Sequence, residues 1–385
     1  MPYFTEEQIM IRDLARRIAR EKIVPVREHY DRTGDFPWDI VDEIRNADLF
    51  GVFIPEEFGG FGGGITEMAI VTEELSWACG GISLGFAASG LGTMPILLSG
   101  SDEQKAKFLP QIATGEKLTA FALTEPNAGS DAGGIKTTAV RDGDSYILNG
   151  TKQWITNGGE AKIYTVIALT NPSRGARGAS AFIVEDGAEG FCYGKKEDKM
   201  GIRASATREL IFENCRIPAE NLIGREGMGF MVAMATLDKS RPGVAAQAVG
   251  IAQGALDAAV DYAREREQFG KPIIANQGLQ WMLADMATKV ESARAFVYDV
   301  ANRIDRGERD VSKLSAMAKL YASDIAMTVT TDAVQVFGGY GYMREYPVEK
   351  MMRDAKITQI YEGTNQIQRD VIGKALIREA AKKRE

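Results

Sequence analysis

The sequence predicts a mixed α and β chain in three successive parts: an N-terminal helical domain over 1–120, a small middle β-barrel or sandwich domain over 121–225, and a C-terminal four-helix bundle over 226–385. Three observations carry this. Before about position 120 apolar residues recur at helical spacing; the next hundred residues hold short β-rich runs broken by turn dipeptides; after 226 the helical period returns and lasts. A chain of 385 residues exceeds one ordinary core, so two or three packed domains are expected.

In the first part, Ile11, Leu14, Ala15 and Ile18 share one helical face, and Thr5 followed by Glu6 and Glu7 makes a helix start. The segment EEFGGFGGGITE has the glycines of a phosphate loop but no Gly-Lys-Ser/Thr, so it reads as a flexible turn between helices. The middle part contains SYILNG, IYTVIALT, SAFIVED, FCYG and ELIFENCRI, separated by Asn-Gly, Asp-Gly and Gly-Gly turns. In the last part, segments 243–265, 278–304, 312–337 and 365–382 are each long enough for several helical turns, and Leu279, Met282, Leu283, Met286 and Val290 form one apolar stripe. A junction of three such parts suits a large planar ligand.

Composition excludes several functions. A net charge of −7 argues against a nucleic-acid polyanion as partner. No apolar run approaches the roughly 20 residues of a membrane span, and the N-terminus lacks the pattern of a targeting segment. The three cysteines, Cys79, Cys192 and Cys215, fit no disulfide framework or Cys-x-x-Cys motif and read as reduced core residues of a cytoplasmic protein, with a mature mitochondrial form as the alternative. The single histidine, His29, leaves no material for a multi-His metal site, and no metal is expected. Acid-base work then falls to carboxylates, Lys, Tyr or a cofactor.

Two segments carry chemistry. In ALTEPNAGSDAGG (122–134) the glycines let backbone approach a ligand while Thr124 and Ser130 offer hydroxyls; a pyrophosphate loop and a plain Gly-Ser-Asp turn remain equal readings. In QVFGGYGYMREYPVEKMMRDAKITQIYEGTNQIQRD (335–370), Gly338, Gly339 and Gly341 end a helix, and Glu362 stands between Tyr361 and Gly363 with Ile357 and Ile360 nearby. A carboxylate there can be desolvated toward a working base, or can serve as an acidic residue at a helix start.

These two segments, with KQWITNGG, IYEGTNQIQR, GKKEDKMGI and LDKSRPGVAAQAVG, resemble the acyl-CoA dehydrogenase family, closest to its short- and medium-chain, butyryl-type branch, in order along essentially the whole chain. The resemblance implies a homotetramer with one FAD per subunit that desaturates an acyl-CoA between its α and β carbons in β-oxidation-type metabolism, passing electrons to an electron-transferring flavoprotein. It implies Glu362 as base, because the alternative family position is here Ser240. It places Phe121, Leu123, Thr124, Gly129, Ser130, Trp154 and Thr156 against the flavin, and Thr364 and Gln366 on its adenine-bearing half. Arg266, Gln268, Phe269, Gln277, Gln335 and Gly339 resemble the stretch that reaches a neighbour's FAD. For the substrate it implies Ser130, Asp238, Arg241, Tyr361 and Gly363, with Ala87 and Ala88 flooring an uncharged acyl pocket. An oxygen-reactive acyl-CoA oxidase and a helical flavoprotein binding nucleic acid are the alternatives.

Overall fold

The first helix starts where Thr5 and Gln8 cap each other: Thr5 Oγ1 accepts the Gln8 amide at 3.2 Å, and the Gln8 side-chain oxygen accepts the Thr5 amide at 3.0 Å. Two otherwise unpaired donors are thereby satisfied. A computed structural model of the chain describes residues 4–382, beginning with α1 (Glu6–Ile18), which turns Ala15 and Ile18 inward. Next come α2 (Arg27–Thr33), α3 (Trp38–Asn46), α4 (Ile65–Ala78), α5 (Leu84–Ser99) and α6 (Asp102–Ala113). Helices α4 and α5 are buried on nearly every side, as befits apolar helices at the centre of a large core.

The Gly-rich segment before α4 is a turn, but a packed one rather than a flexible one. A Cβ on Gly60 would lie 2.0 Å from the Ile54 carbonyl oxygen, and one on Gly63 2.3 Å from that of Val52. The N-terminus of α4 is held by Asp305, whose carboxylate accepts the amides of Ile65 at 2.7 Å and Thr66 at 2.8 Å. A side chain of the protein itself thus takes the place where a helix start attracts an anion.

The middle part contains β1 (Thr119–Ala122), β2 (Thr138–Asp142), β3 (Ser145–Thr156), β4 (Ile163–Leu169), β5 (Ala179–Glu185), β6 (Phe191–Lys196), β7 (Thr207–Pro218) and β8 (Leu222–Ile223). They form one sheet in the order β6-β7-β3-β2-β4-β5-β8, with β1 running parallel to β4. All seven residues of β4 are buried, so it reads as an apolar run broken only by Thr165, whose hydroxyl donates to the Gly92 carbonyl, instead of an alternating one. One expected turn is absent. Asn149-Gly150 lies inside β3, where the register with β7 shifts between Leu148 and Gly150, and the strand continues to Thr156. Here Asn-Gly makes a bulge rather than a hairpin, and a Cβ on Gly150 would meet Thr137 Oγ1 at 2.6 Å.

The last part begins with α7 (Gly229–Glu265), followed by a hairpin of β9 (Glu267–Gln268) and β10 (Lys271–Pro272), then α8 (Gln277–Asp305), α9 (Ser312–Phe337), α10 (Pro347–Ile357) and α11 (Asn365–Lys382). The sequence suggested that the first of these helices starts after Pro242. It starts at Gly229 and runs through the proline, because buried Ser240, Arg241 and Val244 pack on both sides of it and outweigh one missing hydrogen bond. By length and composition α7 is apolar enough to cross a membrane, contrary to the expectation that no run comes close, but 78% of its most apolar window is buried inside the protein. Helix α10, unforeseen, opens with Pro347 at its first turn. Leu283, Met286 and Val290 are buried as the stripe predicts. Cys192 is exposed on β6 and is not a core residue, whereas Cys79 and Cys215 are buried.

Candidate active site

The three parts meet around a cavity of about 480 Å³. Helices α4 and α5 contribute Met68, Thr72, Leu84, Ala87, Ala88 and Leu91; the β part gives Phe121, Leu123, Thr124, Gly129, Ser130, Trp154 and Thr156. Helix α7 gives Phe230, Met234, Leu237, Ser240, Arg241, Val244 and Gln247, and the turn before α11 gives Tyr361, Glu362 and Gly363. Thirteen of the residues expected at the site thus line one space: Ala87, Ala88, Phe121, Leu123, Thr124, Gly129, Ser130, Trp154, Thr156, Arg241, Tyr361, Glu362 and Gly363.

Glu362 is presented by an unusual backbone. Its φ is +53° and that of Gly363 is +89°, two consecutive left-handed residues after α10. For a non-glycine this costs of order 1–3 kcal/mol and persists only where neighbours over-determine it. They do so here. Gln368 Nε2 donates to the carbonyls of Glu362 at 3.1 Å and Gly363 at 2.9 Å, and Lys319 Nζ donates to the Gly363 carbonyl at 2.8 Å and to Asn365 Oδ1 at 3.0 Å.

The Glu362 carboxylate accepts the Ser240 hydroxyl at 2.5 Å across the cavity wall. Burial raises its pKa above the ordinary carboxylate value, with the Ser240 hydrogen bond and then the Arg241 and Lys319 charges acting against the rise. The desolvation does not come from Ile360, which is 48% exposed and turned to solvent. It comes from the cavity walls, where the Tyr361 hydroxyl donates to the Gln247 side-chain oxygen. Burial likewise pushes the Tyr361 phenol up, leaving it a neutral donor.

The loop over 122–134 is pinned to β3 from below. Glu125 accepts the amides of Lys136 at 2.6 Å and Thr137 at 2.9 Å and pairs with Lys152 Nζ at 2.8 Å. Burial alone would raise Glu125, yet the Lys152 charge and these hydrogen bonds outweigh it and hold the carboxyl below its usual range. Two residues further along β3, at a second register shift, Trp154 takes φ +57° and its side chain stays 58% exposed at the cavity rim.

Other expected residues lie elsewhere. Asp238 is off the cavity lining and pairs with Arg241 Nη1 at 2.6 Å while accepting Ser312 Oγ at 2.9 Å. Arg241 is 4% exposed, and its Nε is buried without a partner. Thr364 Oγ1 accepts the Ile367 amide at 3.2 Å as a cap of α11, and Gln366 is exposed. Arg266, Gln268 and Gly339 line a second, open cleft with Tyr262, Phe337 and Tyr340. Phe269, 95% exposed with φ +55°, forms the tip of the β9-β10 hairpin beside it, and Gln277 and Gln335 are exposed outside both clefts. His29 is exposed on α2. Among the described residues, no three His, Cys, Asp or Glu side chains are grouped to hold a metal ion.

Sequence reasoning missed the roles of five residues. Ser240 counted only as a missing carboxylate, and the Glu125 and Lys152 pair was not foreseen. Gln247 and Lys319 were legible in principle as single polar residues at core-facing helical phase: Lys319 falls four residues after Ser315 and four before Ser323, all three buried.

Three family models match in succession: "Acyl-CoA dehydrogenase, N-terminal domain" over residues 5–116, "middle domain" over 120–215 and "C-terminal domain" over 227–377. An acyl-CoA dehydrogenase of Bacillus subtilis is 50% identical over 377 residues, which cover 97% of this chain and 99% of that one. Among solved structures, a chain from work on the electron transferring flavoprotein of Acidaminococcus fermentans superposes with a TM-score of 0.96 at 52% identity, over 97% of this chain and 99% of that one. Butyryl-CoA dehydrogenase from Megasphaera elsdenii superposes with a TM-score of 0.95 at 47% identity over the same shares.

Proposed function

The chain belongs to the acyl-CoA dehydrogenase family, and from that premise we propose that its central cavity desaturates an uncharged acyl-CoA thioester with Glu362 as the base. The protein is an FAD-dependent oxidoreductase acting on acyl-CoA. One observation carries the choice of base. Glu362 lines the cavity on a strained turn, with its carboxylate held by Ser240 at 2.5 Å and its pKa raised by burial. The other carboxylate on the lining, Asp131, sits on the exposed loop.

The residues present fit a planar flavin. Trp154 offers an exposed indole at the rim, and Thr124, Ser130 and Thr156 bring hydroxyls beside apolar Phe121 and Leu123. When bound, FAD supplies the acceptor for the β-hydrogen, which leaves as hydride. Glu362 takes the α-proton, and its own backbone N–H donates to the thioester carbonyl oxygen, where negative charge develops. Ser240 orients the carboxylate and favours its ionised form. Ala87, Ala88, Leu84 and Leu91 leave apolar room for the acyl chain. Arg241 is the cation on the lining, and its charge is already met by Asp238, so a second carboxylate on the substrate would go unpaired.

The assembly follows the family's homotetramer. Arg266, Gln268 and Gly339 in the second cleft, together with projecting Phe269 and exposed Gln277 and Gln335, reach a neighbour's FAD; Thr364, Gln366 and Asp238 serve the chain's own cofactor and CoA from outside the cavity. Electron-transferring flavoprotein is the electron acceptor, in keeping with the 52% identical chain found in work on such a protein. The test is anaerobic stopped-flow reduction of the FAD-loaded enzyme by butyryl-CoA. Glu362→Gln is expected to keep its FAD and lose at least about 10²-fold in rate; near-wild-type reduction would place the base elsewhere. In air without the flavoprotein acceptor the flavin should stay bleached by substrate; continued turnover with the flavin remaining oxidised and hydrogen peroxide accumulating would favour an oxidase.

A further inference from the structure

We propose that Lys319, on α9 beneath the cavity, is a positioning residue for proton transfer: it holds the turn that carries Glu362, and its positive charge keeps that carboxylate ready to accept a proton. The inference rests on the reading of Glu362 as base. The Lys319 side chain is 0% exposed, and an ammonium is costly to bury unless it is used. Its donors go to two neutral acceptors, the Gly363 carbonyl at 2.8 Å and Asn365 Oδ1 at 3.0 Å, so a salt bridge to a carboxylate does not account for the charge. A neutral donor would staple the turn at lower cost.

What distinguishes lysine is the field it exerts. The charged groups acting on Lys319 are Glu362, Arg241 from α7, and Asp324 from its own helix; those acting on Glu362 are Arg241 and Lys319 itself. Asp324 is shared with Arg369 and Asn365 of α11; Arg241 also acts on Glu362 but is ion-paired with Asp238, whereas Lys319 adds its charge with no carboxylate bonded to it among the described residues. Burial draws the lysine down to about 7, with Glu362 opposing and Arg241 adding to the fall. The two groups therefore titrate as a pair: each favours the charged form of the other. Gln368, which holds the same carbonyl with a neutral amide, fixes the turn without any such effect.

The experiment compares FAD-loaded wild type, Lys319→Met, Lys319→Arg and Glu362→Gln by two readouts across pH. One is anaerobic flavin reduction by butyryl-CoA. The other, independent of turnover, is the infrared carboxyl band that Glu362→Gln abolishes, titrated without substrate. In Lys319→Met the acid limb of the rate and the carboxyl midpoint are both expected to rise by about one pH unit or more, with rate recovering as pH is raised, and Lys319→Arg should restore both. A loss by one factor at every pH with an unmoved carboxyl midpoint, or no change at all, overturns the proposal. If Lys319→Met does not fold, Asp324→Asn decides. Losing that negative charge would directly lower the Glu362 midpoint, so a rise comes through a weakened Lys319 ammonium, and a fall or no movement overturns the idea. A fully active Glu362→Gln defeats the assignment of the base itself; an inactive one with an unmoved Lys319→Met midpoint defeats only the role of Lys319.

Discussion

Replacing Ser240 by alanine tests the electrostatics of the base more sharply than removing the base. The hydroxyl donates to Glu362 at 2.5 Å inside a largely apolar wall, so the bond is charge-assisted when Glu362 is ionised. Hydrogen bonds to charged groups contribute about 1.5–3 kcal/mol, and a tenfold change in acidity corresponds to about 1.4 kcal/mol, so losing this one should raise the Glu362 pKa by about one to two. The sign is definite, because the donation stabilises the carboxylate and acts against burial. A smaller fraction of the base is then ionised at a given pH, and the acid limb of flavin reduction moves to higher pH. On that limb the rate should fall by about 10- to 100-fold, while the alkaline plateau stays within a few-fold of wild type. Single-turnover reduction by butyryl-CoA measured from the acid limb to the plateau gives the limb directly, and FAD content reports on the fold. A limb that stays in place or moves to lower pH would refute the idea that Ser240 governs the ionisation of Glu362.

Three further outcomes follow from the same site. Because the folded-state pKa of Glu362 is raised, its contribution to stability is present below the ordinary carboxylate pKa and lost as pH rises through the raised value; Glu362→Gln should therefore be more stable than wild type on the alkaline side, by about 1.4 kcal/mol for each tenfold weakening of the acid on folding, with the gap closing in acid, as calorimetry can read. Gly363→Ala forces a Cβ to 2.7 Å from Gln368 Nε2 at φ +89°, so it should cost roughly 1–3 kcal/mol and reduce flavin reduction at least about tenfold while FAD is retained. Ala87→Phe should cut activity on longer or bulkier acyl-CoAs more than on butyryl-CoA, since overfilling costs about 1–3 kcal/mol for groups that need the space, and equal losses at all chain lengths would remove Ala87 from the pocket floor.

The three-part order was legible because each part keeps one period over many residues: 3.6 in α8 and α9, near 2 in β3 and β7. What escaped was local chemistry overridden by packing. Asn149-Gly150 has the dipeptide of a hairpin turn, but the extra residue is absorbed as a bulge, and this carries the strand on to Trp154 and Thr156. Pro242 reads as a helix boundary until the buried residues on both sides are seen. At the site, residues that touch through one short motif were legible, such as Tyr361, Glu362 and Gly363. Hydrogen bonds between distant segments were not: Ser240 and Glu362 are 122 positions apart, and although the resemblance linked the two positions as alternative sites for the base, it did not foretell that the serine would hold the carboxylate.

The carboxylate of Asp305 at the start of α4 ties together residues separated by 240 positions. Glu67 caps Gly64 from within α4, whereas the amides of Ile65 and Thr66, at the foot of the wall bearing Met68 and Thr72, find their acceptor only in a residue far along the chain. The catalytic turn comes later still. Completing the cavity therefore depends on contacts of long sequence separation, the kind that form slowly and leave apolar helix faces open to association until they are made.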